Sequence, residues 1–141
     1  MKTPIAGRMR AALTLGLLAA TLSACGDDDP TGVASDLVGT WQVTSFQAIG
    51  FPDFIAAGMA VTVTLTDTDY ALVITNAQAD LCDGAANCTN TGTYSATSSQ
   101  ITLDPGTPDA ITFSYTISGS TMTWTGSIEG IPVTIQATRI S

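Results

Sequence analysis

From residue 61 onward the sequence alternates. Val61, Val63 and Leu65 are separated by Thr62 and Thr64, and Tyr70, Leu72 and Ile74 resume the pattern after the polar break at Asp67, Thr68 and Asp69. Ile111, Phe113, Tyr115 and Ile117 alternate with Thr112, Ser114 and Thr116, Met122 and Trp124 with Thr123 and Thr125, and Ile131, Val133, Ile135 and Ala137 with Thr134 and Gln136. A period of two places every apolar side chain on one face of a strand. The β-branched and aromatic residues that fill these runs suit that pleated surface. Asp104-Pro105-Gly106, Ser118-Gly119-Ser120 and Glu129-Gly130 punctuate the runs as turns. Eight strands are predicted, near 37–46, 61–66, 70–75, 91–97, 100–104, 110–118, 121–127 and 131–140. Short connections make neighbours in sequence antiparallel neighbours in space. Eight such strands, each with one apolar face, lose their exposed edges by closing on themselves. The expected fold is all-β, a small eight-stranded antiparallel up-and-down barrel; a two-sheet β-sandwich satisfies the same alternation and remains the alternative. Residues 47–60, long, apolar and rich in alanine, leave room for a short helix over 53–59 with Pro52 near its start.

Composition narrows the chemistry. The 141 residues hold twelve Asp+Glu, four Lys+Arg and no histidine. A nucleic-acid binder needs a basic face, and this chain has none. Without histidine the usual general base, zinc ligand and triad partner are all missing. Serine and threonine are abundant but lack a base to activate them. The carboxylates Asp67 and Asp69 read as turn formers. No catalytic residue, metal ligand or cofactor is assigned, and the chain is not expected to be an enzyme.

The first 24 residues read as an export signal. Lys2, Arg8 and Arg10 precede a short apolar run over 11–21, too short to span a bilayer comfortably and flanked as a signal peptide is. Leu22-Ser23-Ala24-Cys25 resembles the lipobox of bacterial lipoproteins. That resemblance implies cleavage before Cys25, a diacylglycerol thioether on its sulfur and palmitate-type acylation of the new N-terminus. Two or three acyl chains anchor stably where one does not. Residues 25–35 then form the lipidated cysteine and a polar tether, whose ten residues after Cys25 span roughly 18 Å. Asp27, Asp28 and Asp29 read as part of that solvated spacer. The domain proper is 36–141. After cleavage one cation, Arg139, faces twelve acids, for a formal charge of −11. Gly26 after the lipidated cysteine implies, by the sorting rule of diderm lipoproteins, outer-membrane delivery in a cell that has one; the expected location is the cell envelope, periplasm included, lipid-anchored, with the leaflet left open.

Cys82 and Cys88 remain, six positions apart with Asp83-Gly84 as a turn between them. In an oxidising envelope they are expected to pair. No zinc-site spacing is present, and Asp80, Asp83 and Asn87 do not match a calcium loop.

Gly39-Thr40-Trp41 at the first strand and Arg139 near the end of the last resemble the Gly-x-Trp and C-terminal arginine of the lipocalin and wider calycin pattern. The resemblance covers 37–141. It implies that Arg139 packs over Trp41 at the closed end of the barrel, with Gly39 beside them. Parity agrees, because Arg139 shares a strand face with Val133, Ile135 and Ala137. A frayed last strand with Arg139 in solvent is the alternative. The domain is shorter than a typical lipocalin, and Thr68-Asp69-Tyr70, though it matches the family's second motif in letters, lies too early in the chain to count.

Two functions follow. In the first, a membrane-tethered barrel holds a small apolar ligand among Val63, Leu72, Ile74, Phe113, Tyr115, Met122, Trp124 and Val133; the alternative is that these side chains fill the barrel and its role is structural. In the second, the acidic domain docks a cationic protein such as a lysozyme or a secreted hydrolase.

Overall fold

The structure, a computed structural model, describes residues 35–78 and 81–141. The signal, Cys25, most of the tether and Asp80 lie outside the described residues. The eight strands are β1 (Gly39–Ala48), β2 (Ala60–Leu65), β3 (Asp69–Thr75), β4 (Asn87–Ala96), β5 (Gln100–Leu103), β6 (Ile111–Ser118), β7 (Thr121–Ile128) and β8 (Ile131–Arg139). Each pairs antiparallel with the next, and β1 pairs with β8, so the sheet closes into an up-and-down barrel. Closure removes the edges that a sandwich would leave, which settles the alternative in favour of the barrel.

Turn chemistry sets the register. Glu129 and Gly130 both have positive φ, 51° and 81°, as a two-residue type I′ hairpin requires, and they pair Ile128 with Ile131. Gly119, at φ 60°, occupies the first position of the tight turn that pairs Ser118 with Thr121. With these registers the apolar faces all turn inward. Trp41, Val63, Leu65, Ile101, Phe113, Met122, Trp124 and Ala137 are buried, while the threonines between them face outward or lie at the rim.

Two expectations are corrected. No helix forms over 53–59. Only single turns close there, from the Ala57 N–H to the Asp53 carbonyl, from the Gly58 N–H to the Ile55 carbonyl and from the Met59 N–H to the Phe54 carbonyl, all at 3.0 Å. Gly58, at φ 104°, ends the segment after a single turn, well short of the length at which a helix sustains itself. The carboxylate of Asp53 holds the segment instead, accepting from the backbone N–H groups of Ile55 and Phe46 and from the Ser45 hydroxyl. The second correction is β4, which begins at Asn87 rather than 91. Its first residues, Asn87-Cys88-Thr89-Asn90, carry no apolar alternation, but β3 supplies a partner strand and pairs Cys88 with Ile74 and Asn90 with Leu72.

The barrel has two unlike ends. The N-terminal segment 36–38 and the tight turns at 66–68, 97–99 and 119–120 gather at one. The longer connections 49–59, 76–86 and 104–110, with the hairpin 129–130, surround the other.

Candidate functional site

The first end is shut by side chains. The Trp41 ring is fully buried and its indole N–H donates to the Leu37 carbonyl at 2.9 Å. The register pairs Trp41 with Arg139, and the guanidinium carbon lies 4.3 Å from the Trp41 ring centroid, within cation–π range. Arg139 also donates to the carbonyls of Val38, at 2.5 Å, and Asp36. Gly39 explains itself here. A Cβ at this position would meet Arg139 Nη1 at 2.5 Å and the Ser141 carbonyl at 2.6 Å, and its φ is 144°. Only glycine allows the last strand to cross so close to the first.

Two tyrosines complete the closure. Tyr94 donates to the Thr66 carbonyl and Tyr115, at 2.6 Å, to the Thr97 carbonyl, each reaching from the barrel interior into a turn at that end. Burial pushes the Tyr94 phenol up to about 12, helped by the nearby charge of Asp67; burial, with Asp36 nearby, raises that of Tyr115. Tyr70 is held by a different device. Its hydroxyl donates to the Asp104 carboxylate at 2.6 Å. A Cβ on Gly92 would fall 2.0 Å from that carboxylate and 2.8 Å from the tyrosine ring, so the missing side chain of Gly92 makes the space for the pair. Burial, then the carboxylate, push Tyr70 up to about 12.

Toward the other end the interior is not filled. A cavity of about 210 Å³ runs along the lumen. Val63 of β2, Leu72 and Ile74 of β3, and Phe113 and Trp124 of β6 and β7 line it, five of the eight residues expected to do so. Phe113 and Trp124 stack with ring centroids 5.5 Å apart and planes at 27°. Gly126 permits this, because a Cβ there would meet the Phe113 ring at 2.7 Å. The other three lie elsewhere. Met122 sits deeper, beside a void of only about 10 Å³ that Trp124 shares. Tyr115 is spent on the closed end. Val133 lines a shallower depression of about 360 Å³ at the mouth, with Phe51, Phe54 and Ile131. Phe46, Leu81 and Ile128 line both spaces, so the lumen and the mouth adjoin across these three side chains.

Sequence reasoning missed one lining residue of a different kind. Asn90 is the single polar side chain of the lumen wall. Counting back by twos from Tyr94 gives it inward parity, but the absence of apolar neighbours hid the strand. Eight apolar lining residues were missed as well, Phe46, Leu81 and Ile128 near the mouth among them.

Cys82 and Cys88 form a disulfide with Cα atoms 5.6 Å apart, beside Leu81 at the mouth. Asp53 lies on the same side of the barrel. Its burial pulls the carboxyl up, but the hydrogen bonds from Ser45, Phe46, Ala56 and Ile55 outweigh that and hold it below the ordinary 3.8. Among the described residues no group of three His, Cys, Asp or Glu is placed to hold a metal ion.

A family model described as a lipocalin-like domain matches residues 37–124. The crystal structure of a lipocalin-like protein from Bacteroides uniformis ATCC 8492 is similar at 20% identity and a TM-score of 0.46, covering 74% of this chain and 99% of its own. No curated protein matches the sequence.

Proposed function

This chain belongs to the lipocalin-like domain family, and we propose that it holds a small apolar molecule in the lumen of its barrel while tethered to a membrane of the cell envelope through Cys25. The observation that carries the reading is the unfilled apolar space of about 210 Å³, adjoining the depression at the mouth, in a barrel shut at the opposite end by Trp41 and Arg139. A barrel needing only stability gains nothing from this space, since a cavity costs dispersion contacts along its whole wall. A dry apolar cavity of about 150 Å³ admits benzene, so this one is large enough for a compact guest. Benzene near saturation should therefore raise the thermal midpoint of the protein; an unchanged midpoint would mean that the space is not a binding site and that the barrel is structural.

The tether rests on the order of charge, apolar run, lipobox and polar spacer over 1–35. The described chain begins beside Arg139, at the closed end. In a diderm cell the Gly26 sorting signal favours the outer membrane. No catalysis is assigned, because the lumen wall presents no nucleophile, acid or base. The formal charge, −8 for the full sequence and −11 once residues 1–24 are cleaved, favours a second reading, an acidic module that docks a cationic protein such as a lysozyme or secreted hydrolase. A pull-down of basic proteins that persists at low salt and is lost at high salt would support it over the first.

A further inference from the structure

The wall of the lumen carries more information than its volume. Asn90 is its one polar side chain, and among the described residues its carboxamide makes no hydrogen bond. It is exposed as well as lumen-lining, because β5 is only four residues long and pairs with β4 no further back than Tyr94. Asn90 thus stands where the barrel wall thins, with one side on the cavity and the other on water. A buried donor without a partner lies in the same wall. Trp124 is 4% exposed, and its Nε1 is the one buried side-chain polar atom without a partner among the described residues. An indole nitrogen can only donate, and leaving a buried donor unpaired is costly. The charge of the wall is equally informative. Arg139, the cation of the described barrel, is engaged at the closed end, and no cation lines the lumen. A carboxylate drawn into this space would be buried without a counter-charge, which apolar surroundings penalise heavily.

Resting on the reading of the lumen as a binding site, we propose that its ligand is a small neutral molecule, an apolar body of about ten non-hydrogen atoms or fewer by comparison with the benzene-sized cavity, carrying one hydrogen-bond acceptor of the carbonyl or ether type that the Asn90 carboxamide recognises. The same wall disfavours an anion whose carboxylate enters the lumen. Asn90 is the residue that sets specificity, while Phe113 and Trp124 pack against the apolar body.

A matched series of eight-carbon probes tests this: octane, octanone and octanoate, titrated into the full chain and followed by the indole N–H resonances. The two tryptophans report on different ends. Octane and octanone should shift the Trp124 resonance and leave that of Trp41 in place. Asn90→Leu and the near-isosteric Asn90→Asp should each weaken octanone about 3- to 10-fold, the worth of one neutral hydrogen bond, with octane binding no weaker to Asn90→Leu than to the parent. Octanoate should bind at least about tenfold more weakly than octanone, well inside what burying an unpaired charge costs. Octanoate binding as tightly as octanone, or octanone indifferent to both substitutions, would overturn the assignment of a neutral acceptor while octane binding still upheld the lumen as a site. If octane too leaves the Trp124 resonance unmoved, the lumen reading itself falls and this assignment with it.

Discussion

Arg139 does three things at once: it covers the Trp41 ring, ties the 36–38 segment through two carbonyls and completes the β1–β8 seam. Cation–π attraction and packing of the arginine stem are together worth about 1–2 kcal/mol at such a site, so Arg139→Ala should lower the urea midpoint by that equivalent without altering ligand affinity at the far end. Gly39→Ala is the sharper lesion, since its Cβ would strike the arginine and the Ser141 carbonyl together; it should cost more than Arg139→Ala in the same titration. The tyrosines give a prediction in pH. Each is raised in the folded state above the ordinary 10.0, Tyr70 and Tyr94 to about 12. A phenol held neutral by the fold contributes stability that is whole below pH 10 and is lost as the pH rises toward 12. Stability followed by circular dichroism should fall through that window together with the rise of phenolate absorbance. Asp53 runs the other way. Its folded value is lowered, so its contribution is whole above the ordinary carboxyl range and fades as the pH falls through and below 3.8; Asp53→Asn should flatten the acid limb of the same curve.

At the scale of elements, strands with threonine between apolar residues were legible to within one or two residues, because the period of two is imposed by burial of one face alone. The first half of β4 was not, since Thr89 and Asn90 are held by pairing with β3 rather than by burying a side chain. The turn at 53–59 misled for the opposite reason: its alanines favour helix locally, but Gly58 and the Asp53 carboxylate close the segment within one turn. The lining of the lumen was legible only in part. Parity tells which residues point inward and says nothing of depth along the barrel axis, so Tyr115, two positions from Phe113, stabilises the closed end while Phe113 faces the cavity. The disulfide was legible from export and spacing, and its loop is small. Closing it contributes about 2 kcal/mol on the chain-entropy account. Reduction should lower the unfolding free energy by that amount and loosen the mouth beside Leu81, read as faster amide exchange in 81–90 than in β7.

The molecule as a whole is a barrel with one shut end, one open end and a strongly acidic surface. Its described N-terminus emerges at the shut end. Cys25→Ala should move the protein from the membrane to the soluble fraction; continued membrane attachment would contradict the lipid anchor and leave the barrel unaffected. The central claim concerns the lumen of about 210 Å³. Native mass spectrometry of the protein purified from its own cells tests it most directly. The expected spectrum shows a one-to-one adduct of a small neutral molecule, released on unfolding and absent from denatured protein. A single bare mass that stays bare after incubation with excess octanone would contradict the claim and leave the barrel as a structural domain.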